Sequence, residues 1–204
     1  MDLAVAAALG LASRLPPGLA YPSAAALGPV LAALRPGRRG LIVQEIQRTL
    51  DGLVPPDAIA AAAAEAFRLW ACDQLDILYY PRMSPDNIRS YGQIRNEDRL
   101  ARVLGQGRGV VLPLAHFGAN KFPIPALSLR GYPFTQIGLR VVDWETGHAG
   151  RASAYARRML SLEHRAEARW PARFVYGDAA LLPAVRRLRS GGIVCIAVDG
   201  GTPR

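Results

Sequence analysis

The sequence predicts an α/β protein in which a parallel-rich sheet is flanked by helices and preceded by an N-terminal helical hairpin. Three observations predict it. From Gly105 onward, apolar runs alternate with helical stretches, the pattern of parallel strands joined by right-handed crossovers. The 204 residues suit one α/β domain with room for a core. Half of them are hydrophobic and a fifth charged, which excludes a disordered chain.

Taken in order, residues 3–13 (LAVAAALGLAS) are apolar, Arg14 interrupts, and residues 15–34 carry no charge. Pro16, Pro17, Pro22 and Pro29, with Gly18 and Gly28, prevent one smooth helix of the ~20 residues that a bilayer needs. No basic segment precedes the first run, so a cleaved signal peptide fits poorly. Two short helices broken at residues 15–21 are expected. Arg35, Arg38 and Arg39 follow, placed to meet lipid phosphates. Contact with a membrane surface and an ordinary hairpin packed on the domain both fit this stretch.

Residues 41–50 have helical periodicity and are separated by Pro55-Pro56 from a long helix over 57–79, which Pro81 ends. Residues 88–94 are expected as a short strand, and Asn96 as the cap of a helix to Leu104. Strands then follow at 110–115, 134–139, 173–176 and 193–198, with helices at 119–129, 152–164 and 179–189 between them. The expected division is a membrane-associating hairpin at 1–40 and the α/β domain at 41–204. The chain stops at Gly200-Gly201-Thr202-Pro203-Arg204, directly after a strand, where a site ought to continue. The α/β domain is therefore expected to be incomplete at its C-terminus, as a fragment or a truncated reading frame.

The formal charge is +9, carried by 24 arginines and a single lysine, Lys121. Such an excess calls for an anionic partner: anionic lipid, a phosphorylated substrate, an acidic carrier protein or nucleic acid. No recognisable nucleic-acid module accompanies the arginines, which argues against DNA. Cys72 and Cys195 are isolated in apolar segments and read as reduced core residues, not as a disulfide or metal site. Gly105, Gly107 and Gly109 precede a strand, whereas a dinucleotide loop must follow one. A Gly-x-Ser-x-Gly elbow is missing, which excludes the usual α/β-hydrolase.

Chemistry is expected at the strand ends. His116, Arg140, Asp178 and Asp199 each follow a strand, and in a parallel sheet all project to the carboxyl edge where ligands bind. A neutral imidazole takes a proton from a hydroxyl, and a carboxylate (Asp178 or Asp199) holds its tautomer. Arginine forks onto phosphate, or Arg140 is a solvated surface charge.

Gly109–Asn120 (GVVLPLAHFGAN) resembles the signature of the lysophospholipid acyltransferase superfamily, in particular its lipid A (late) acyltransferase branch. There an apolar strand leads into His-Phe-Gly-Asn and then Trp-Glu, a His-x4-acid motif. The resemblance extends to Asn96–Gly109 (NEDRLARVLGQGRG), Ala126–Pro133 (ALSLRGYP) and Leu188–Asp199 (LRSGGIVCIAVD), and in layout to the hydrophobic N-terminus. Three features depart from it. Lys121 stands where the family carries its acid, Ala119-Asn120-Lys121 shifts the Asn-Trp-Glu pattern, and everything the family places after the later aspartate is absent.

The resemblance implies a glycerolipid or lipid A acyltransferase-like fold. It implies transfer of a fatty acyl group from acyl carrier protein or coenzyme A to a lipid or glycolipid hydroxyl. The setting would be lipid A biosynthesis at the cytoplasmic face of a bacterial inner membrane. His116 would be the general base, with no metal and no cofactor beyond the thioester co-substrate. Backbone N–H groups at a helix start over Gly118–Lys121, with Asn120, would meet the oxyanion. Lysine cannot accept a hydrogen bond from the imidazole. Lys121 is then a tolerated surface substitution, a residue whose orienting role passes to Asp178 or Asp199, or an anion-binding ammonium. The rival expectation is a catalytically degenerate lipid- or carrier-binding relative.

Overall fold

The computed structural model describes residues 3–50, 52–116, 118–119, 121–138 and 154–198. The chain divides into two compact units, Met1–Tyr79 and Tyr80–Arg204.

The first unit is helical: α1 (Leu3–Ala12), α2 (Pro17–Ala26), α3 (Gly28–Ala33), α4 (Pro36–Leu50) and α5 (Pro56–Tyr79). Residues 3–34 thus make three short helices where two were expected. Prolines open α2 and α3, where no intrahelical N–H is needed, so they start helices as effectively as they stop them. Helix α5 is the spine. Ile59, Ala63, Phe67, Ala71, Leu75 and Tyr79 are buried at every fourth position, a stripe that winds slowly around the helix. All four preceding helices pack against it. Tyr79 donates from its hydroxyl to the carbonyl of Leu15 at 2.6 Å, tying down the α1–α2 turn.

No single described helix is long and apolar enough to cross a membrane. The stretch Pro17–Ala33 with Pro36–Leu50 passes by length and composition only, and bends by 97°. Arg35 and Arg38 stack over the Trp70 ring, at 5.0 and 5.7 Å from its centroid. Leu11, Leu19, Leu34 and Leu41 remain exposed.

Asp76 is an exception to the apolar spine. It is 2% exposed, and its carboxylate accepts a hydrogen bond from the Tyr21 hydroxyl. Burial pushes its pKa up to about 7; the Tyr21 bond opposes this and the Asp73 charge adds to it. The folded unit therefore holds a proton that the unfolded chain releases near pH 4, and stability falls as pH rises from about 4 to about 7.

The second unit is α/β, with four parallel strands flanked by helices. After a 3₁₀ turn (Tyr80–Arg82) come α6 (Ile88–Tyr91), α7 (Glu97–Gly105), β1 (Val110–Leu114), α8 (Pro123–Ser128) and β2 (Phe134–Gly138). Then follow α9 (Ala154–Glu167), β3 (Ala172–Tyr176), a 3₁₀ turn (Asp178–Ala180), α10 (Leu181–Arg189) and β4 (Ile193–Ala197). The sheet order is β1-β4-β2-β3. Val110, Ile193, Phe134 and Ala172 are level across it, so all four strands also end level. Burial follows position: Ile193, Val194 and Cys195 of central β4 are buried, whereas edge strand β1 alternates half-buried with exposed. Burial also lifts the Cys195 thiol pKa to about 12, keeping it a protonated core residue.

The expected strand at 88–94 is instead α6. Asn87 nucleates it: its side chain accepts from the Ser84 N–H and donates to the Arg82 carbonyl, both at 2.8 Å, and Ile88 N–H bonds to the Ser84 carbonyl. Asn96 occupies the N-cap of α7 as expected but is left-handed, at φ 58°, and makes no capping side-chain bond.

Two close approaches need glycine. A Cβ on Gly109 would lie 2.8 Å from the Leu188 Cα, so only glycine lets the end of α10 cross the entry to β1. A Cβ on Gly191, which has φ +74°, would likewise lie 2.9 Å from the Gly107 carbonyl oxygen.

Gly109→Ala is expected to cost about 2–3 kcal/mol in urea unfolding of this unit, because the obstruction is backbone. Asp76→Asn is expected to gain stability relative to wild type as pH rises from 4 to 7, reaching a few kcal/mol at pH 8. Urea titrations at pH 5 and pH 8, followed by circular dichroism, check the sign.

Candidate active site at the carboxyl edge of the sheet

Level parallel strands bring four chain exits to one edge. Their last residues, Leu114, Gly138, Tyr176 and Ala197, line a cavity of about 190 Å³, the place where open α/β sheets hold ligands. The Val198 N–H donates to the Leu114 carbonyl at 2.9 Å, holding the ends of β4 and β1 together.

His116 stands two residues beyond β1, exposed, on the wall of this cavity. Lys121 shares the wall. Gly118 follows the histidine in the left-handed region at φ +58°. The expected helix start over Gly118–Lys121 does not form there. Pro123 and Pro125 set the first turn of α8, so the helix begins at Pro123 and the segment before it is turn. Asp178 opens the 3₁₀ turn after β3, exposed, and is not among the residues lining the cavity. Asn120, Arg140 and Asp199 lie outside the described residues.

The cavity's carboxylates come from α9. Glu163 and Glu167 are one turn apart and both line it. The Glu163 side chain is 5% exposed and pairs with the Lys121 ammonium, which is 46% exposed. A buried carboxylate is costly without such a counter-charge. Glu167 is half-buried. Burial first, and then the charge of Glu163, push its pKa up to about 7 against the pull of Lys121. Two carboxylates in unlike surroundings thus share this lining with an imidazole.

Gln136 of β2 completes the lining. It is 8% exposed; its Nε2 donates to the Ile137 carbonyl at 2.9 Å, and its Oε1 has no hydrogen-bond partner among the described residues. A buried acceptor left open at a cavity wall fits a ligand donor such as a hydroxyl. Among the described residues no group of three or more His, Cys, Asp or Glu is arranged to hold a metal ion.

Sequence reasoning passed over Glu163, Glu167 and Gln136. A signal for Glu163 was present: it falls four residues after Met159 and three before Ala166, both buried, so it is in phase with the core face of its helix.

No protein-family model matches the chain, and no curated protein matches its sequence at a significant level.

Lys121→Met is expected to strand the Glu163 carboxylate and cost roughly 3 kcal/mol at pH 8. Lys121→Met/Glu163→Gln should recover most of that loss, and urea denaturation of the three variants measures both effects.

Proposed function

We propose that the chain transfers a fatty acyl group from an acyl thioester, of acyl carrier protein or coenzyme A, to a hydroxyl of a lipid or glycolipid. The reading includes a lipid A acyltransferase-like fold and a place at the cytoplasmic face of a bacterial inner membrane. The observation that carries it is the position of His116 at a carboxyl-edge cavity that also holds Glu163, Glu167 and the open acceptor of Gln136. The wording around His116 supports it, as does the +9 charge, which suits an acidic carrier and anionic lipid. The exposed leucines of the first unit, with Arg39 in the first turn of α4, suit membrane contact.

In this mechanism Gln136 Oε1 accepts a hydrogen bond from a second donor of the acceptor molecule, a neighbouring hydroxyl or amide N–H, so that the proton of the reacting hydroxyl faces His116. His116 takes the hydroxyl proton as the oxygen attacks the thioester carbonyl carbon. The C–S bond of the tetrahedral adduct then breaks, and the thiolate leaves with the proton that the imidazolium returns. The carboxylates of α9 favour the imidazolium formed between these steps. Because the Glu167 pKa is about 7, its contribution grows as pH rises through neutrality.

A second reading, a lipid- or carrier-binding relative without turnover, is favoured by Lys121. Its ammonium is committed to Glu163, at the position where the resembling motif carries an acid.

Acyl transfer from acyl carrier protein to a lipid acceptor, assayed in the presence of liposomes, separates the two. Under the first reading His116→Ala lowers kcat/KM by ~10²–10⁴-fold, and Glu167→Gln makes the rise in rate through about pH 7 shallower. Liposome binding by wild type without any transfer decides for the second.

A further inference from the structure

The opposite edge of the same sheet carries a larger cavity, about 580 Å³, within the range of small-ligand pockets of roughly 300–1,000 Å³. It opens at the amino ends of β2 and β3 and takes no part in the chemistry above. Its charged lining is cationic. Arg173 of β3 and Arg186 and Arg187 of the last turn of α10 line it, and among the described residues no carboxylate does. Among the described residues none of the three makes an ion pair. The negative end of the α10 dipole accounts in part for Arg186 and Arg187, but not for Arg173 on a different element.

Arg187 is held in advance. Its Nη2 donates to the Pro133 carbonyl at 2.7 Å, and its guanidinium lies where a side chain on Gly192 would stand. Trp170 is on the cavity wall, 6% exposed, with an Nε1–H that lacks a hydrogen-bond partner among the described residues. The rest of the lining includes Pro133, Pro171 and Pro183, rigid and apolar.

We infer that this cavity binds a phosphate ester. Guanidinium groups present paired N–H donors that match phosphate oxygens. Three of them without a counter-charge favour a dianion over a monocarboxylate. The proline walls take the organic part, so an ester is preferred over free phosphate. The phosphate is that of a soluble metabolite or of a lipid headgroup.

The test titrates phenyl phosphate and inorganic phosphate into the full chain by calorimetry at low salt. Wild type is compared with Arg173→Ala/Arg186→Ala and with Arg99→Ala/Arg108→Ala, which removes the same charge from exposed positions elsewhere. Saturable binding of phenyl phosphate is expected, at least tenfold tighter than inorganic phosphate and at least tenfold weaker in the Arg173/Arg186 variant alone. Absence of binding by wild type, equal affinity for the two phosphates, or equal loss in both variants overturns the inference. Phosphatidylcholine vesicles with and without phosphatidic acid form the second arm. Loss of phosphatidic-acid-dependent binding in the Arg173/Arg186 variant assigns the site to a lipid headgroup, and its retention, with phenyl phosphate binding lost, to a soluble ester.

Discussion

The seating of β4 between β1 and β2 is the constraint on which the second unit depends. β1 and β2 have no common ladder until β4 fills the gap, and β4 comes after both in chain order. The steps from β1 to β2 to β3 run in one direction across the sheet, and the step to β4 returns. With right-handed crossovers, α8 and α9 then share one face while α10 takes the other. That shared face is why Lys121, in the connection leading to α8, meets Glu163 of α9. Gly109 and Gly191 make the insertion sterically possible where α10 passes the strand starts. Inserting β4 between strands that precede it in the chain makes many non-local contacts, which is a slow topology to fold.

The same arrangement separates charge. His116, Lys121 and two glutamates from one helix gather at the carboxyl edge, while guanidinium groups without an ion-pair partner among the described residues gather at the amino edge. The two edges are five residues of strand apart, about 17 Å at the usual rise. The guanidinium groups draw an anionic ligand to the amino edge, whereas at the carboxyl edge Lys121 and Glu163 balance one another.

Much of this fold was legible in sequence. The four strands lie within a residue of their expected positions because each is a short run rich in β-branched, aromatic and aliphatic residues. Strand order was not legible, since nothing local in Ile193–Ala197 says which neighbours it pairs with. The run at 88–94 misled because a side chain just before it, Asn87, sets the backbone into a helical turn. For the site, His116 was placed by the strand that precedes it. Its carboxylate neighbours were not, because they arrive from a helix more than forty residues away, and charged residues on a charged helix read as solvated. Asp178 was favoured on the logic of strand ends, but the 3₁₀ turn that begins at it leads away from the cavity.

Lys121 has a consequence that concerns practice more than mechanism. The chain contains one lysine, and its side chain is nearly half accessible while its partner is buried. Amine-directed reagents therefore meet one ε-amino group in the whole sequence, located at the cavity wall beside His116. The covalent label that reaches it reports directly on whether the ion pair is closed, without any engineered residue.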